Sequence, residues 1–319
     1  MSPNTSSHHA LPALTDAEPL LRGRRRRGLL AVSAGSVLWG TTGVVVRQVH
    51  AATGLSAAAI GCHRLAVAAL VLAVVRPGRV RRGMQVAWRS RRPLMLSGIG
   101  LGGYQALYFL GVQDAGVGVA TLVSIGVAPV VTTVGVALAR RGRPGAVELT
   151  VLAVALAGLI LVSLSGLRQG RGGEGTLGVL AAVGSGAGYG LTVLLNRRLS
   201  GSVDALTMTV VTCATGATVL LPLALLAGPV LVTDAAAWAG LLYVAVVCTA
   251  VAYGLFYAGL RSTTGEVAVV LTLLEPLTAS VLAVVLLHEP LAASAVLGGM
   301  LMLACVVVLY LRPVAGADR

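Results

Sequence analysis

A carboxylate and a proline stand side by side in an apolar stretch long enough to cross a bilayer, LTLLEPLTASVLAVVLLHEPL over residues 271–291. A carboxylate such as Glu275 at membrane depth costs about 2.5 kcal/mol or more and usually faces a protein interior or a water-filled cavity. Pro276 removes a backbone donor, and lipid offers no replacement partner for the carbonyl left free one turn earlier. The stretch therefore predicts an interrupted helix at a binding site. The alternative is a proline kink in which a neighbouring helix satisfies Glu275.

Arg64 is a second charged residue inside an apolar run, in this case the run at 56–75. Its guanidinium starts near mid-depth, so it needs an anionic partner or the carboxylate of a substrate, unless it snorkels to the membrane surface. Glu275 is the acidic residue at comparable depth. An adjacent Arg64 would keep Glu275 ionised, whereas a distant Arg64 would leave Glu275 able to carry a proton. The sequence leaves both arrangements open.

Aromatic residues are few, and half of the twelve gather at 104–109 and 253–257, within the apolar runs 93–111 and 237–258. Tyr104 and Tyr253, which are 149 residues apart, lie deep in these runs, where a buried hydroxyl needs a hydrogen-bond partner. We expect them to line a cavity, together with Trp39 and Tyr189 from two further runs. The alternative is anchoring at the membrane surface, where tyrosine is also enriched.

The composition indicates the class of protein that must position these side chains. Of 319 residues, 56% are hydrophobic and 11% are charged, and the mean hydropathy is +0.90. These values are typical of a polytopic membrane protein and not of a soluble domain. The net charge of +13 comes from arginines in short segments between apolar runs, which argues against nucleic-acid binding. Four cysteines fall in four different runs without metal-ligand spacing, so we expect no metal and no cofactor.

Ten apolar runs approach the length that spans about 30 Å of hydrocarbon. They lie at 28–46, 56–75, 93–111, 117–139, 147–166, 176–195, 205–227, 237–258, 267–287 and 291–311. If the amino terminus is cytoplasmic, the segments on that side hold 20 of the 24 arginines. This asymmetry predicts a multi-pass protein of the inner (plasma) membrane with both termini in the cytoplasm. A cleavable signal peptide at the first run is the alternative, but cleavage would delete one member of an internal repeat.

This weak internal repeat relates runs one to five to runs six to ten. At an offset of 150 residues Trp39 meets Tyr189, and at an offset of 147 residues Pro129 meets Pro276. Because each half has an odd number of runs, the two halves must have opposite orientations in the membrane. Inverted repeats with interrupted helices at matching positions, predicted here at Pro129 and Pro276, indicate a transporter whose site lies between the halves.

The chain resembles the EamA family of the drug/metabolite transporter superfamily over residues 28–311. Besides the two-repeat layout, the likeness rests on Trp39-Gly40, Arg64, Glu275-Pro276 and Leu287-His288-Glu289-Pro290. Two departures stand out: His288 replaces the family's common glycine, and Ala128 occupies the position equivalent to Glu275. The resemblance implies ten helices in two inverted bundles around a central cavity, usually moving small metabolites or drugs across the inner membrane and often outward.

We therefore predict an all-α membrane protein with ten transmembrane helices arranged as two inverted five-helix repeats around a central cavity. The predicted layout is a disordered basic cytoplasmic tail at 1–27, repeats at 28–166 and 176–311, a loop at 167–175 and a second cytoplasmic tail at 312–319. The predicted substrate-binding residues are Trp39, Arg64, Tyr104, Tyr189, Tyr253 and Glu275.

The function predicted is that of a secondary transporter, an exporter of a small organic solute such as an amino acid, a related metabolite or a drug, by alternating access. The expected partners are a small-molecule substrate and membrane lipid, and proton coupling is left open. An enzyme is not predicted, because the apolar runs contain neither paired acids nor a nucleophile with its base. The alternative function is a passive pore or a lipid-handling membrane protein.

Overall fold

The computed structural model describes residues 17–169, 175–232, 234–287 and 293–311, and these segments consist of helices and short connections without a strand. The helices of the first half are α1 (Ala17–Gly40), α2 (Thr42–Thr53), α3 (Ala57–Val75), α4 (Pro77–Ala87), α5 (Arg91–Ala115), α6 (Val117–Ala139) and α7 (Ala146–Gln169). Those of the second half are α8 (Thr176–Leu199), α9 (Ala205–Leu226), α10 (Ala235–Ala245), α11 (Ala252–Leu260), α12 (Gly265–Leu271), α13 (Leu274–Leu287) and α14 (Ala293–Leu311). A 3-10 turn at Trp88–Ser90 follows α4, and a π-helical segment at Val246–Val251 joins α10 to α11.

Nine helical segments of the described chain are long and apolar enough to cross a membrane, and they correspond to nine of the ten predicted runs. The tenth run, 93–111, is α5, whose 25 residues are also sufficient to span the hydrocarbon. Its hydropathy is lower because it contains several glycines and the amide of Gln105. In the fold α5 packs against both α8 and α9. The predicted all-α membrane fold is therefore confirmed.

The contacts between helices follow the internal repeat. On one side of the interface α8 packs on α5 and α6, and on the equivalent side α1 packs on α11 and on α12–α13. In addition, α3 packs on α9 and α7 packs on α14, so that each of these helices meets its own equivalent in the other half. This pattern is that of two inverted five-helix repeats related by a pseudo-twofold axis.

Glycines allow the closest of these approaches. A Cβ at Gly158 in α7 would lie 2.8 Å from the Gly298 carbonyl oxygen in α14, and a Cβ at Gly298 would lie 2.5 Å from the Gly158 carbonyl oxygen. The two helices therefore meet backbone to backbone. Gly186 of α8 approaches the Ser124 carbonyl of α6 in the same way. Small residues in membrane interfaces serve this purpose, because van der Waals contact must replace the hydrophobic effect there.

The helices on the two equivalent sides differ in continuity. Run one is divided at Thr41 into α1 and α2, run eight contains the π-helical segment, and run nine is divided at Thr272–Leu273 into α12 and α13. At this last division the Leu273 N–H donates to the Val270 carbonyl three residues earlier, which tightens the turn. The equivalents α8, α5 and α6 are continuous. All the interruptions therefore fall on one side of the pseudo-twofold axis.

The structure differs from the sequence-based predictions at two places. First, α1 begins at Ala17, so residues 17–27 of the predicted disordered tail are helical, in line with the good helix propensity of leucine and arginine. Second, α6 continues through Pro129, so the interruption predicted there is absent; a membrane helix tolerates one proline when its neighbours re-satisfy the backbone. The connection at 76–92, for which we make no prediction from the sequence, contains α4, whose Gly83 packs against Asp204 and Thr207 at the start of α9.

Several predicted features lie outside the described residues. These are His288 and Glu289 of the motif before α14, residues 1–16, most of the loop at 167–175 and the tail at 312–319.

Candidate functional site

Four aromatic side chains form a continuous chain across the interface between the two halves. The Trp39 and Tyr253 rings lie 4.9 Å apart, and the Tyr104 and Tyr189 rings lie 5.1 Å apart, measured between centroids. A hydrogen bond between the Tyr104 and Tyr253 hydroxyls, 3.1 Å apart, joins these two pairs. Because the repeat exchanges Trp39 with Tyr189 and Tyr104 with Tyr253, the two ring contacts are equivalent. The hydroxyl pair therefore marks the pseudo-twofold axis.

Local features of the helices place each ring in this chain. Trp39 occupies the last turn of α1, and Tyr253 the first turn of α11, directly after the π-helical segment. A π-helical turn widens the helix locally and changes the direction of the side chains that follow it. Tyr189 in α8 lies near Thr272, where run nine is divided. Tyr104 comes close to α8 because position 188 is glycine: a Cβ there would lie 3.2 Å from the Tyr104 Cβ.

Arg64 is held by α5 and is not directed to either surface of the membrane. Its Nη2 donates a hydrogen bond of 2.7 Å to Oε1 of Gln105, in the middle of that helix. Gln105 itself is buried, and its Nε2 has no hydrogen-bond partner among the described residues. The Arg64 side chain is half-buried, and the guanidinium has five N–H donors, so several remain for a ligand. Sequence reasoning missed Gln105, although an amide inside an apolar run was a signal that could have found it.

Glu275 lies in the first turn of α13, directly after the division of run nine. It is close enough to Arg64 and to Tyr189 to interact with them electrostatically. No described residue forms an ion pair or a hydrogen bond with its carboxylate. The hydrogen bond that Arg64 donates goes to Gln105. Arg64 and Glu275 are therefore near enough to interact electrostatically, but no ion pair or hydrogen bond joins them among the described residues.

The interrupted turns lie against this region. A Cβ at Gly40 would lie 2.6 Å from the Glu275 carbonyl oxygen, so the end of α1 meets the start of α13 backbone to backbone. Next to it, Thr41 Oγ1 lies 3.0 Å from the Tyr243 hydroxyl and 3.2 Å from Cys248 Sγ, in α10 and the π-helical segment. The three interrupted runs thus contact one another beside the site.

The arrangement provides one cation, one carboxylate and several aromatic faces. Arg64, Tyr104, Tyr189 and Glu275 are partly exposed although they lie within the bundle, while Trp39 and Tyr253 are buried behind them. Arginine pairs well with carboxylates, and aromatic faces accept both apolar groups and ammonium ions. Within the described segments no three His, Cys, Asp or Glu side chains are grouped so as to hold a metal ion. These side chains together can bind a small polar molecule.

Fold and site together define a polytopic membrane protein of the transporter class, built from two inverted five-helix halves. A profile of the EamA-like transporter family matches residues 26–164 and again residues 176–311. The chain belongs to this family, as its resemblance predicted, and its relatives identify it as a membrane transporter.

Two relatives are also named as transporters. The chain is 33% identical over 238 residues to the uncharacterized transporter YwfM of Bacillus subtilis (strain 168). The matched stretch covers 71% of this chain and 74% of that protein. It is 26% identical over 147 residues to the uncharacterized inner membrane transporter YicL of Salmonella typhimurium (strain LT2). This match covers 45% of the chain and 49% of YicL. A solved structure, described only as the crystal structure of a protein, superposes with a TM-score of 0.75 over 88% of this chain and 95% of its own. At 18% identity this last likeness shows the fold alone.

Proposed function

We propose that the protein is a secondary transporter that exports a small organic solute by alternating access, with the solute bound between the two halves. The observation that carries this proposal is the placement of Arg64 and Glu275, opposite in charge and not in contact, beside the aromatic chain of Trp39, Tyr253, Tyr104 and Tyr189. Charged side chains at membrane depth are expensive and mark substrate or ion pathways. A site at the junction of inverted repeats is the usual place for transported solutes.

The charges of the site favour a zwitterionic solute, such as an amino acid or a related metabolite. In this proposal a substrate carboxylate binds the free N–H groups of Arg64, while a substrate ammonium binds Glu275. The Tyr104 and Tyr189 rings then contact the apolar part of the solute, since they are the aromatic members of the site that remain accessible. A hydrophobic drug with one cationic group would use Glu275 and the rings alone.

Glu275 is also the residue proposed to couple transport to protons. Its carboxylate receives no described hydrogen bond, so in this proposal it exchanges its ion partner during the cycle: a proton in one state, a substrate ammonium in another. We further propose that the protein lies in the inner (plasma) membrane with both termini in the cytoplasm, which the distribution of arginines supports.

Reconstituted vesicles test this proposal. We expect uptake of the amino acid that most raises the thermal stability of the purified protein to saturate and to show counterflow, because a carrier binds its solute before each turnover. Glu275→Gln should lose accumulation driven by a proton gradient and should raise the solute KM, because the substrate ammonium loses its counter-ion, while exchange persists at saturating solute. Glu148→Gln is the matched control, because Glu148 is an acid near a helix start, where it accepts a bond from the Gly145 N–H. Unsaturable flux without counterflow would contradict the proposal and favour a passive pore, and full accumulation by Glu275→Gln would remove the role given to that residue.

A further inference from the structure

At one end of the bundle an ion pair joins two helices that are equivalent in the repeat. Arg140 follows the last residue of α6, and Glu266 lies in the first turn of α12. Arg140 Nη2 lies 3.6 Å from Glu266 Oε1. The pseudo-twofold operation exchanges α6 with α12 and α13, which belong to the other half. The ion pair between Arg140 and Glu266 therefore crosses the interface between the halves. The distribution of arginines predicts that this end faces the cytoplasm.

The same two runs are in contact at this end of the bundle. Helix α6 packs on α12, the half of run nine that carries Glu266, whereas the other half, α13, packs on α1, α7 and α14. Leu194, in the second half of α8, reaches both α6 and α12. A Cβ at Gly135 of α6 or at Gly265 of α12 would meet the Leu194 side chain, the latter at 3.3 Å. The ion pair and the Leu194 side chain therefore both link α6 to α12 at this end.

The two partners of the ion pair differ in exposure. The Arg140 side chain is 56% exposed, while that of Glu266 is 11% exposed. Glu266 Oε2 is buried without a hydrogen-bond partner, so Arg140 is the cation that compensates this carboxylate. An exposed arginine swings away at low cost, but its departure leaves the glutamate uncompensated until water reaches it. Such a pair favours the closed state modestly and opens together with the helices.

The repeat does not reproduce this pair at the equivalent positions of the other half. The offset of 147 residues that aligns Pro129 with Pro276 places Arg140 on Leu287 and Glu266 on Val119, and neither residue can ionise. The ion pair is therefore specific to one member of the repeat, and it favours closure of the end at which it lies.

We propose that Arg140 and Glu266, together with Leu194, form the cytoplasmic gate of the transporter and hold the resting protein closed on that side. This inference rests on the alternating-access function proposed above. The pair breaks when α6 and α12 separate to admit solute from the cytoplasm, and it forms again as the protein turns to release solute outside.

Thiol labelling measures this gate without any solute. Thr133 is buried and lines a small cavity together with Val136, Arg140 and Glu266, so a Thr133→Cys reporter reacts with an impermeant maleimide from the cytoplasmic side only when the gate opens. The parent chain gives the background from the four native cysteines, which are buried. We expect Arg140→Gln to raise the labelling rate about two- to fivefold, the range set by a pair with one exposed partner. Arg141→Gln, which removes the same charge from the next and exposed residue, should leave the rate unchanged.

A double-mutant cycle separates pairing from general loosening of the fold. With Glu266→Gln already present, Arg140→Gln should have little further effect, because the interaction is already gone. Equal effects of Arg140→Gln in both backgrounds, or wild-type labelling of Arg140→Gln, would overturn the gate. If labelling behaves as expected but vesicles show unsaturable flux, the transport proposal fails while the pair still closes this end. If carrier kinetics hold and labelling does not change, the gate alone fails.

Discussion

Replacing Gly40 by alanine should disturb the place where α1 ends against the start of α13. The new Cβ would lie 2.5 Å from the Thr278 Cβ and 2.6 Å from the Glu275 carbonyl oxygen. Neither neighbour is the free end of a flexible side chain, so a helix must shift. Overpacking of this kind costs about 1–3 kcal/mol. With the 2–4 °C per kcal/mol typical of chains of about 150–250 residues, the melting temperature should fall by roughly 2–12 °C.

The measurement uses the protein's own cysteines. All four are buried, so a thiol-reactive dye reports unfolding without an added label. Gly43→Ala is the matched control: it lies one turn further along the same run, is exposed, and a Cβ there would meet nothing within 4 Å. It should be neutral or stabilise the protein by about 0.5–1 kcal/mol, because glycine inside a helix is less favourable than alanine. Equal melting temperatures for the two variants would refute the backbone contact between α1 and α13.

Three further predictions concern the site and its orientation in the membrane. Tyr104→Ala and Tyr189→Ala should change solute affinity or range more than the amount of folded protein, as measured by transport kinetics beside immunodetection; equal losses of both would favour a packing role. Gln105→Leu should raise the solute KM about tenfold or more with little change in the maximal rate, because Arg64 loses the charged hydrogen bond that orients it; an unchanged KM would contradict the positioning role. Reporter fusions at Asp234 should indicate the outer side and fusions at the carboxyl terminus the cytoplasm, and the reverse result would overturn the predicted topology.

The number and course of the membrane helices could be predicted because hydropathy accumulates over a whole run. The ten runs correspond to ten membrane-spanning segments, some of which consist of two helices. The pairing of Trp39 with Tyr189 and of Tyr104 with Tyr253 follows from sequence offsets alone. The offsets imply that these residues occupy equivalent places. They do not imply that the Tyr104 and Tyr253 hydroxyls meet, since that depends on how closely α5 and α11 approach across the axis.

The interruptions and the partner of Arg64 could not be predicted in the same way. A proline shows where a backbone donor is missing, yet α6 passes through Pro129 while run one is divided at Thr41, which is not a proline. Whether a helix is interrupted depends on the hydrogen bonds that its neighbours offer to the freed groups, and these belong to the tertiary structure. Likewise, charge and depth pointed from Arg64 to Glu275, but the nearer acceptor is the neutral amide of Gln105.

The placement of the interrupted runs bears on why two halves are joined in one chain. A symmetric dimer made from two copies of either half would distribute bent and straight helices equally to its two sides, because each copy contributes the same set. In this chain the bent run one comes from the first half and the bent runs eight and nine from the second, and all three meet on one side of the axis. Two halves that diverge separately within one chain can gather the interrupted helices on one side and their continuous equivalents on the other. Duplication and fusion thus allow an asymmetry that an assembly of identical, symmetrically related subunits does not have.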